Sequence, residues 1–392
     1  MGSRYIIIDN GTIKRTDVDR DSAVFADNVN DAVTQKRADK SAMLVIPDTY
    51  KELSFIEENE YKEFEDYIFS RYFGKKTVVV YGNCHTTVIS DYLENCAEFK
   101  QEYILYRIKP IQTIDDTGYF DHPIFRYCDV FVHQSIQLKN RYGEEYASEN
   151  IVKRLKPECR VISIPNVYGL PVCFFPQYIR DTEYKNEVGI TVFFRDSLLD
   201  ALGNKHIFPG KIYKEYISDK SFSDEYLEDG YRKFLDKVSD REKEWDIKCL
   251  SFISDNYRKI QLFYDPNHPT NEFLLYVTKQ LLHYLEIEFD EDFLDRVEVG
   301  TLTTYEMPVL PEVKKYFGMT FCDNKRMRLS GGRLIGPYMD VKGYVYQYLA
   351  YIWQNNNAKG FIRRLSLCRY RSYRLQARIR RKITKILRKN KC

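Results

Sequence analysis

A chain of 392 residues, 44% hydrophobic and 30% charged, has enough apolar side chains to bury a large core. Its net charge of +3 is nearly neutral and by itself implies nothing about the body of the protein, because a basic segment at the end of the chain offsets an acidic remainder. No basic opening segment precedes an apolar stretch, and no run of about 18 apolar residues occurs, so neither a secretion signal nor a membrane span is expected.

The nine cysteines form no recognisable metal or disulfide pattern. Their number is odd, and no Cys-x-x-Cys pair occurs. We therefore predict neither a zinc site nor a disulfide framework, and no metal cofactor. A reducing cytoplasm is the expected compartment.

Residues 1–74 are predicted to form an N-terminal segment packed on the core. The pair Asn10-Gly11 between apolar runs predicts a hairpin over residues 4–14. An apolar run predicts a strand at residues 42–47, and apolar residues at helical spacing predict a helix over 61–73.

Residues 75–180 alternate between strand and helix patterns. The predicted strands cover residues 77–81, 103–106, 130–132 and 160–164, and the predicted helices cover 85–96 and 144–155. This alternation predicts an α/β fold with a parallel-sheet core of SGNH-like or flavodoxin-like character. Such sheets bind ligands beyond the carboxyl ends of their strands.

A tight turn with a cysteine follows the first core strand. Gly82 and Asn83 end the β-branched run, and Cys84 directly precedes residues at helical spacing. Near a helix N-terminus, unpaired N–H groups and the helix dipole favour a thiolate and an adjacent oxyanion. The pattern is similar to a nucleophile elbow. The alternative is that Cys84 is a small buried apolar residue.

Other polar residues fall at predicted strand ends, close to this turn. His133 and Gln134 end one strand, and residues 165–168 follow the next. The amides of Asn83 and Gln134 are candidate oxyanion donors, and Gly82, His85, His133 and Asn267 are further candidates for oxyanion or substrate contact. The alternative is that these side chains only form hydrogen bonds with the backbone of the turns.

Residues 181–358 are predicted to be mainly helical, with the clearest helices at 226–238, 245–257 and 271–285. Asp265 and His268 lie three residues apart on a proline-constrained loop. A carboxylate that orients an imidazole base is what a nucleophilic cysteine requires. The alternative is that Asp265 caps a turn and His268 packs at a helix start.

The chain resembles the WcbI-type polysaccharide biosynthesis acetyltransferases in four segments. In chain order, these are residues 78–84, 129–134, 162–168 and 262–270. The resemblance covers roughly residues 75–300. It implies that coenzyme A binds, that a sugar hydroxyl of a capsular polysaccharide is acetylated, and that Gly82, Asn83 and Cys84 lie at the active site. His268, from the loop that contains Asn267, is the implied partner. Family members often have Gln after the cysteine, where this chain has His85.

Two mechanisms fit these residues. His268 could activate the sugar hydroxyl for direct attack on acetyl-coenzyme A, or Cys84 could first accept the acetyl group. Four basic residues close to the motifs are candidates for the phosphates of coenzyme A: Lys75, Lys76, Arg107 and Arg258.

Two other functions use the same sequence features. An SGNH-like or thiol-dependent esterase would remove acyl groups from glycans, with water in place of the sugar acceptor. A non-catalytic glycan-binding or membrane-associated scaffold would leave Cys84 inert.

Residues 359–392 form a basic tail with 14 Lys and Arg and no acidic residue. Apolar residues recur there at three- to four-residue spacing, so we predict an amphipathic helix. Such a helix is typical of an anionic membrane surface, whereas nucleic-acid binding and a solvated tail are the alternatives. The expected location is the inner face of the cytoplasmic membrane, where a sugar or lipid-linked acceptor would be used.

Overall fold

The computed structural model describes residues 5–8, 23–26, 43–45, 75–114, 119–120, 124–179, 195–218, 221–302, 306–321, 340–355, 372 and 375. The chain divides into two compact units. The first unit comprises residues 1–82 and 96–162, and the second comprises residues 83–95 and 163–392.

A small parallel sheet lies in the N-terminal segment. It consists of β1 (Tyr5–Ile8), β2 (Ala23–Ala26) and β3 (Met43–Val45) in the order β2-β1-β3. The strand predicted at 42–47 is confirmed. The predicted hairpin is wrong in its pairing, because parallel partners take both edges of β1. The helix predicted at 61–73 lies outside the described residues.

The core sheet confirms the predicted α/β fold. It contains β4 (Lys76–Tyr81), β5 (Tyr103–Tyr106), β6 (Val130–Gln134) and β7 (Arg160–Ile164) in the order β5-β4-β6-β7. β4 pairs in parallel with both β5 and β6. The chain leaves β4 toward β5 and returns to its other side as β6, so the carboxyl end of β4 is a topological switch point.

Short helices connect these strands. They are α1 (His85–Asn95), α2 (Ala97–Glu102), α3 (Ile124–Tyr127) and α4 (Ser148–Val152). The helix predicted at 144–155 is instead a 3-10 turn followed by the five-residue α4. The hydroxyl of Ser148 accepts from the Ile136 N–H and donates to the Gln134 carbonyl, and this anchor leaves Ala147 extended.

Aromatic side chains hold the carboxyl end of β4 in the first unit. The ring of Tyr81 packs against Phe120 and Phe131, and its hydroxyl donates to the Tyr146 carbonyl at 2.6 Å. Burial raises the pKa of Tyr81, so the hydroxyl remains a donor. The backbone leaves this core at Gly82.

The second unit is mainly helical, as predicted. Its helices are α5 (Ser197–Lys205), α6 (Pro209–Tyr216), α7 (Asp224–Glu242), α8 (Leu250–Asn256), α9 (Asn271–Tyr284), α10 (Glu291–Asp295), α11 (Pro311–Phe317) and α12 (Val341–Asn355). Two short antiparallel pairs join β8 (Tyr178–Ile179) to β9 (Arg195–Asp196) and β10 (Phe263–Asp265) to β11 (His268–Pro269).

The predicted helices at 226–238 and 271–285 are confirmed within α7 and α9. The one predicted at 245–257 is shorter, because Asp246 and Ile247 bond through their N–H groups to the Ser163 carbonyl instead of entering the helix.

α1 packs against α9 in the second unit, and each helix begins beside a site residue. α1 contributes Val88 and Leu93 to the buried surface, and α9 contributes Phe273 and Leu281. α1 starts directly after Cys84, and α9 starts shortly after the loop with His268. Packing of the two helices therefore holds both parts of the site within one unit.

None of the helices in the described ranges is both long and apolar enough to cross a bilayer. Apart from residues 372 and 375, the basic tail lies outside those ranges, so its amphipathic helix stays a prediction.

Candidate active site

The cysteine turn has the predicted strand-turn-helix form. β4 ends at Tyr81 and α1 begins at His85. Asn83 closes the turn: its Oδ1 accepts from the His85 N–H at 2.9 Å, and its carbonyl accepts from the Thr86 N–H at 3.1 Å. Cys84 is partly exposed at the start of the helix. The thiol therefore occupies the position in which helix N–H groups favour negative charge.

The Asp265 carboxylate fixes the loop that contains His268. Its Oδ1 accepts from the backbone N–H groups of Asn267 at 2.7 Å and His268 at 3.0 Å. Its Oδ2 accepts from Nδ1 of the His268 ring at 2.8 Å. Asp265 is 0% exposed, so solvent does not compete for these bonds. The orientation of the imidazole is thereby set.

Cys84 lies close enough to the ring of His268 to act on its pKa. Because Nδ1 is bonded to Asp265, Nε2 is the nitrogen that remains for the thiol. Burial lowers the pKa of His268, but the bonds and charges of Asp265 and Cys84 outweigh burial and raise the pKa to about 10. At neutral pH the ring is therefore an imidazolium. The structure thus brings Cys84, His268 and Asp265 together, and their catalytic roles stay a prediction.

His85 supports the loop instead of facing a ligand. Its side chain is sealed, with 1% exposure, and Nε2 lies 2.9 Å from the Asn267 carbonyl. Burial, reinforced by the nearby His268, lowers the pKa of His85 to about 3 against the raising effect of the Asn267 bond. A neutral ring donates to that carbonyl. These bonds give no support to an oxyanion or substrate contact of His85, which stays a prediction.

Asn83 also connects the turn to the crossing after β7. Its Nδ2 lies 3.3 Å from Oδ1 of Asn166, and the Asn166 carbonyl accepts from Nη1 of Arg241 at 3.0 Å. The cysteine turn and the polar loop at 165–168, which the sequence places at the ends of two core strands, therefore meet. The polar loop at 165–168 pointed to Asn166, but no sequence signal connects Arg241 with the site.

Gly169 holds this crossing against the histidine loop. Its φ is +71°, a conformation that favours glycine, and its N–H donates to the Pro266 carbonyl at 2.8 Å. The loop with Asn267 and His268 is thus fixed by Asp265, His85 and the backbone of Gly169.

His133 and Gln134 lie at the carboxyl end of β6 in the first unit. His133 is the register partner of Tyr81, and its ring stacks on Phe131 at 5.6 Å. Gln134 is 0% exposed. A sealed amide does not face a ligand, so the structure gives no support to an oxyanion role for Gln134, whereas the role of His133 stays a prediction.

The four candidate phosphate-binding cations lie in different surroundings. Lys75 and Lys76 lie at the amino end of β4, roughly 17 Å of extended strand from its carboxyl end. Arg258 donates from Nε to the Phe317 carbonyl at 3.1 Å and so joins two helical segments. Arg107 is exposed directly after β5, at the sheet edge where β4 also ends. Only Arg107 therefore has the position expected of a ligand contact at this edge.

The described residues contain no group of three or more side chains arranged to hold a metal ion.

A family model described as the polysaccharide biosynthesis enzyme WcbI matches residues 77–290, more than half of the chain. The solved structure of a WcbI protein, itself described as a polysaccharide biosynthesis enzyme, matches with a TM-score of 0.56 and 16% identity. The match covers 76% of this chain and 99% of that one. That structure is described as native protein without a disulfide bond between coenzyme A and one of its cysteines. No curated protein matches the chain significantly.

The structural match supports the fold, and the family model spans both the cysteine turn and the Asp265–His268 loop. The resemblance inferred from four ordered segments is thereby confirmed, and this chain belongs to the WcbI family of polysaccharide biosynthesis enzymes.

Proposed function

We propose that this chain is a coenzyme A-dependent O-acetyltransferase that acetylates a sugar hydroxyl during synthesis of a capsular or other surface polysaccharide. The observation that carries the proposal is the placement of Cys84, at the start of α1, beside a His268 ring whose Nδ1 is bonded to buried Asp265. Acyl transfer needs such a nucleophile, proton carrier and orienting group. Family membership supports a sugar acceptor, and the coenzyme A named with the solved relative supports the donor.

The protonation of His268 favours the covalent route. An imidazolium is not a base for a sugar hydroxyl, but it stabilises an attacking thiolate and can protonate a leaving group. The sulfur of Cys84 attacks the acetyl carbonyl, the bond from that carbon to the sulfur of coenzyme A breaks, and His268 gives its Nε2 proton to the departing thiolate. One thioester replaces another, so the step is nearly isoenergetic.

The second step returns the proton. His268, now neutral, accepts the proton of the sugar hydroxyl as its oxygen attacks the acetyl group on Cys84. The bond from the acetyl carbon to the Cys84 sulfur breaks, the sugar ester leaves, and the free Cys84 sulfur and the protonated His268 ring are restored. Asp265 holds the ring in one orientation through both steps and stabilises its positive charge.

The start of α1 is the place where we expect the oxyanion of both steps. The positive end of the α1 dipole favours negative charge close to Cys84, although the N–H groups of His85 and Thr86 themselves donate to Asn83. Asn83 carries two amide N–H donors, one of which serves Asn166, and it belongs to the same turn.

The carboxyl edge of the core sheet suits a donor that carries phosphates. Arg107 is exposed after β5 in the first unit, and within the same unit the Ile111 N–H donates to the Gly82 carbonyl at 2.9 Å. We assign Arg107 to the phosphate groups of coenzyme A.

Calorimetric titration with coenzyme A and acetyl-coenzyme A tests the donor. We expect saturable micromolar binding to the wild type and to Cys84→Ala, because the phosphate contacts do not involve the thiol. Acetyl transfer should occur in the wild type alone. An esterase with the same residues would bind no coenzyme A, so absence of binding to folded wild-type protein would refute the proposal.

A further inference from the structure

A short series of hydrogen bonds joins Arg241 to the cysteine turn within the second unit. Arg241, exposed near the end of α7, donates from Nη1 to the Asn166 carbonyl at 3.0 Å, and Asn166 accepts through Oδ1 from Asn83 at 3.3 Å. Asn83 directly precedes Cys84. The guanidinium therefore lies within about 12 Å of the Asn83 amide, given the dimensions of one residue between the two bonds.

Among the described residues, Arg241 has no acidic partner. Within the described part of the chain, no carboxylate lies at ion-pair distance from its guanidinium. Glu244, three residues along, acts on it only through its charge. Asp240 instead pairs with Lys243 at 2.8 Å. An exposed positive charge is thus held in place beside the site.

The chemistry of a guanidinium specifies what it can bind. Its five N–H donors lie in one plane, in a fork that matches the oxygens of a carboxylate or a phosphate. The bond from Nη1 to Asn166 restricts the orientation of this fork and so reduces the entropy that a ligand must overcome.

We propose that Arg241 binds an anionic group, a carboxylate or a phosphate, of a substrate held at Cys84. The identity of that substrate rests on the proposed acetyl transfer, whereas the binding of an anion by Arg241 does not. The anion has two possible sources: an acidic acceptor sugar, or a phosphate of the acetyl donor.

Two alkylating reagents test this proposal without any acyl transfer. Iodoacetate and iodoacetamide both form a thioether with the Cys84 sulfur and release iodide, but only iodoacetate is an anion. The rate at Cys84 is followed by mass spectrometry of its peptide. We expect Arg241→Gln to lower the ratio of the iodoacetate rate to the iodoacetamide rate about 2- to 10-fold. Arg241→Lys should keep most of the ratio.

A matched control separates charge at the site from charge on the protein. Arg232→Gln removes an exposed arginine from the same helix, where it pairs with Asp229 at 2.7 Å, and should leave the ratio unchanged. If Arg241 only supports the Asn166 loop, both reagents will change in parallel in Arg241→Gln. An unchanged ratio would overturn the proposal.

Protection of Cys84 then identifies the source of the anion. Coenzyme A and phosphate-free pantetheine are compared as protecting ligands. If coenzyme A protects Cys84 better in the wild type than in Arg241→Gln, while pantetheine protects both equally, the anion that Arg241 binds is a phosphate of the donor. Competition by glucuronate against iodoacetate in the wild type alone would assign an acidic acceptor. A changed rate ratio without any binding of coenzyme A would contradict the proposed acetyl transfer but not the anion site.

Discussion

Oδ2 of Asp265 lies 2.8 Å from Nδ1 of His268, inside a loop where the same carboxylate also accepts two backbone N–H groups. These three bonds leave the carboxylate no freedom to turn away. The orientation of the His268 ring therefore depends on one buried side chain, which together with Cys84 raises the pKa of the ring.

Replacement of Asp265 by Asn should separate structure from chemistry. Asn keeps an oxygen for the backbone N–H groups, but its amide cannot favour the same protonation of His268. We expect kcat for release of coenzyme A to fall roughly 10²- to 10⁴-fold in Asp265→Asn, with the fold retained by circular dichroism. A loss of less than about 3-fold would contradict the assigned role of Asp265.

The pH dependence of acetylation should report the charge of His268. Its pKa is raised to about 10, so kcat/KM for acetyl-coenzyme A should stay high through neutral pH and fall as the pH approaches 10. Asp265→Asn removes one cause of the raised pKa and should move this decline to lower pH. An identical profile in both proteins would show that the decline belongs to another group.

His85 should affect stability more than ligand contact. His85→Ala leaves a buried space and an unpaired Asn267 carbonyl and should cost about 2–4 kcal/mol of unfolding free energy, measured by urea titration. His85→Gln retains an amide donor and should cost less. Because the native pKa is lowered to about 3, wild-type stability should decline as pH falls from about 6.5 toward 3. His85→Gln should lack this part of the decline.

Two glycines should respond in opposite ways to alanine. Gly169 has φ +71°, so Gly169→Ala should lower the unfolding free energy by roughly 1–2 kcal/mol, although an added Cβ would come no closer than 4.0 Å to Oδ1 of Asn267. Gly230 lies inside α7, where an added Cβ makes an ordinary 3.5 Å contact with Cys173. Gly230→Ala should therefore raise stability by about 0.5–1 kcal/mol. Stabilisation by Gly169→Ala would contradict the account of this turn.

The basic tail should bind anionic lipid surfaces. We expect the full chain to sediment with vesicles that contain phosphatidylserine or phosphatidylglycerol, and to be released as salt rises. A chain that ends at residue 358 should remain in the supernatant. Equal sedimentation of both chains would refute a membrane role for residues 359–392, and preferential binding to nucleic acid would favour the alternative.

The strands and the site turn were predictable because their signals are local. β-branched runs and the Gly82-Asn83 turn mark where the core strands and the site turn lie along the chain, and three-residue spacing brings Asp265 and His268 together. The features that the sequence did not predict depend on hydrogen bonds between residues far apart in the chain. Ser148 interrupts the predicted 144–155 helix, and the burial of His85 depends on the distant Asn267. Arg241 enters the site through a backbone carbonyl, which no sequence pattern reports.

The central claim is that Cys84 accepts the acetyl group and His268 moves the proton. The most direct measurement is mass spectrometry of the Cys84 peptide after rapid mixing with acetyl-coenzyme A in the absence of acceptor. We predict an acetylated Cys84 formed together with one equivalent of free coenzyme A, slowed strongly in His268→Gln and absent in Cys84→Ala. The account would be contradicted if Cys84→Ala transferred the acetyl group to the sugar at the wild-type rate and the wild type formed no acetylated Cys84.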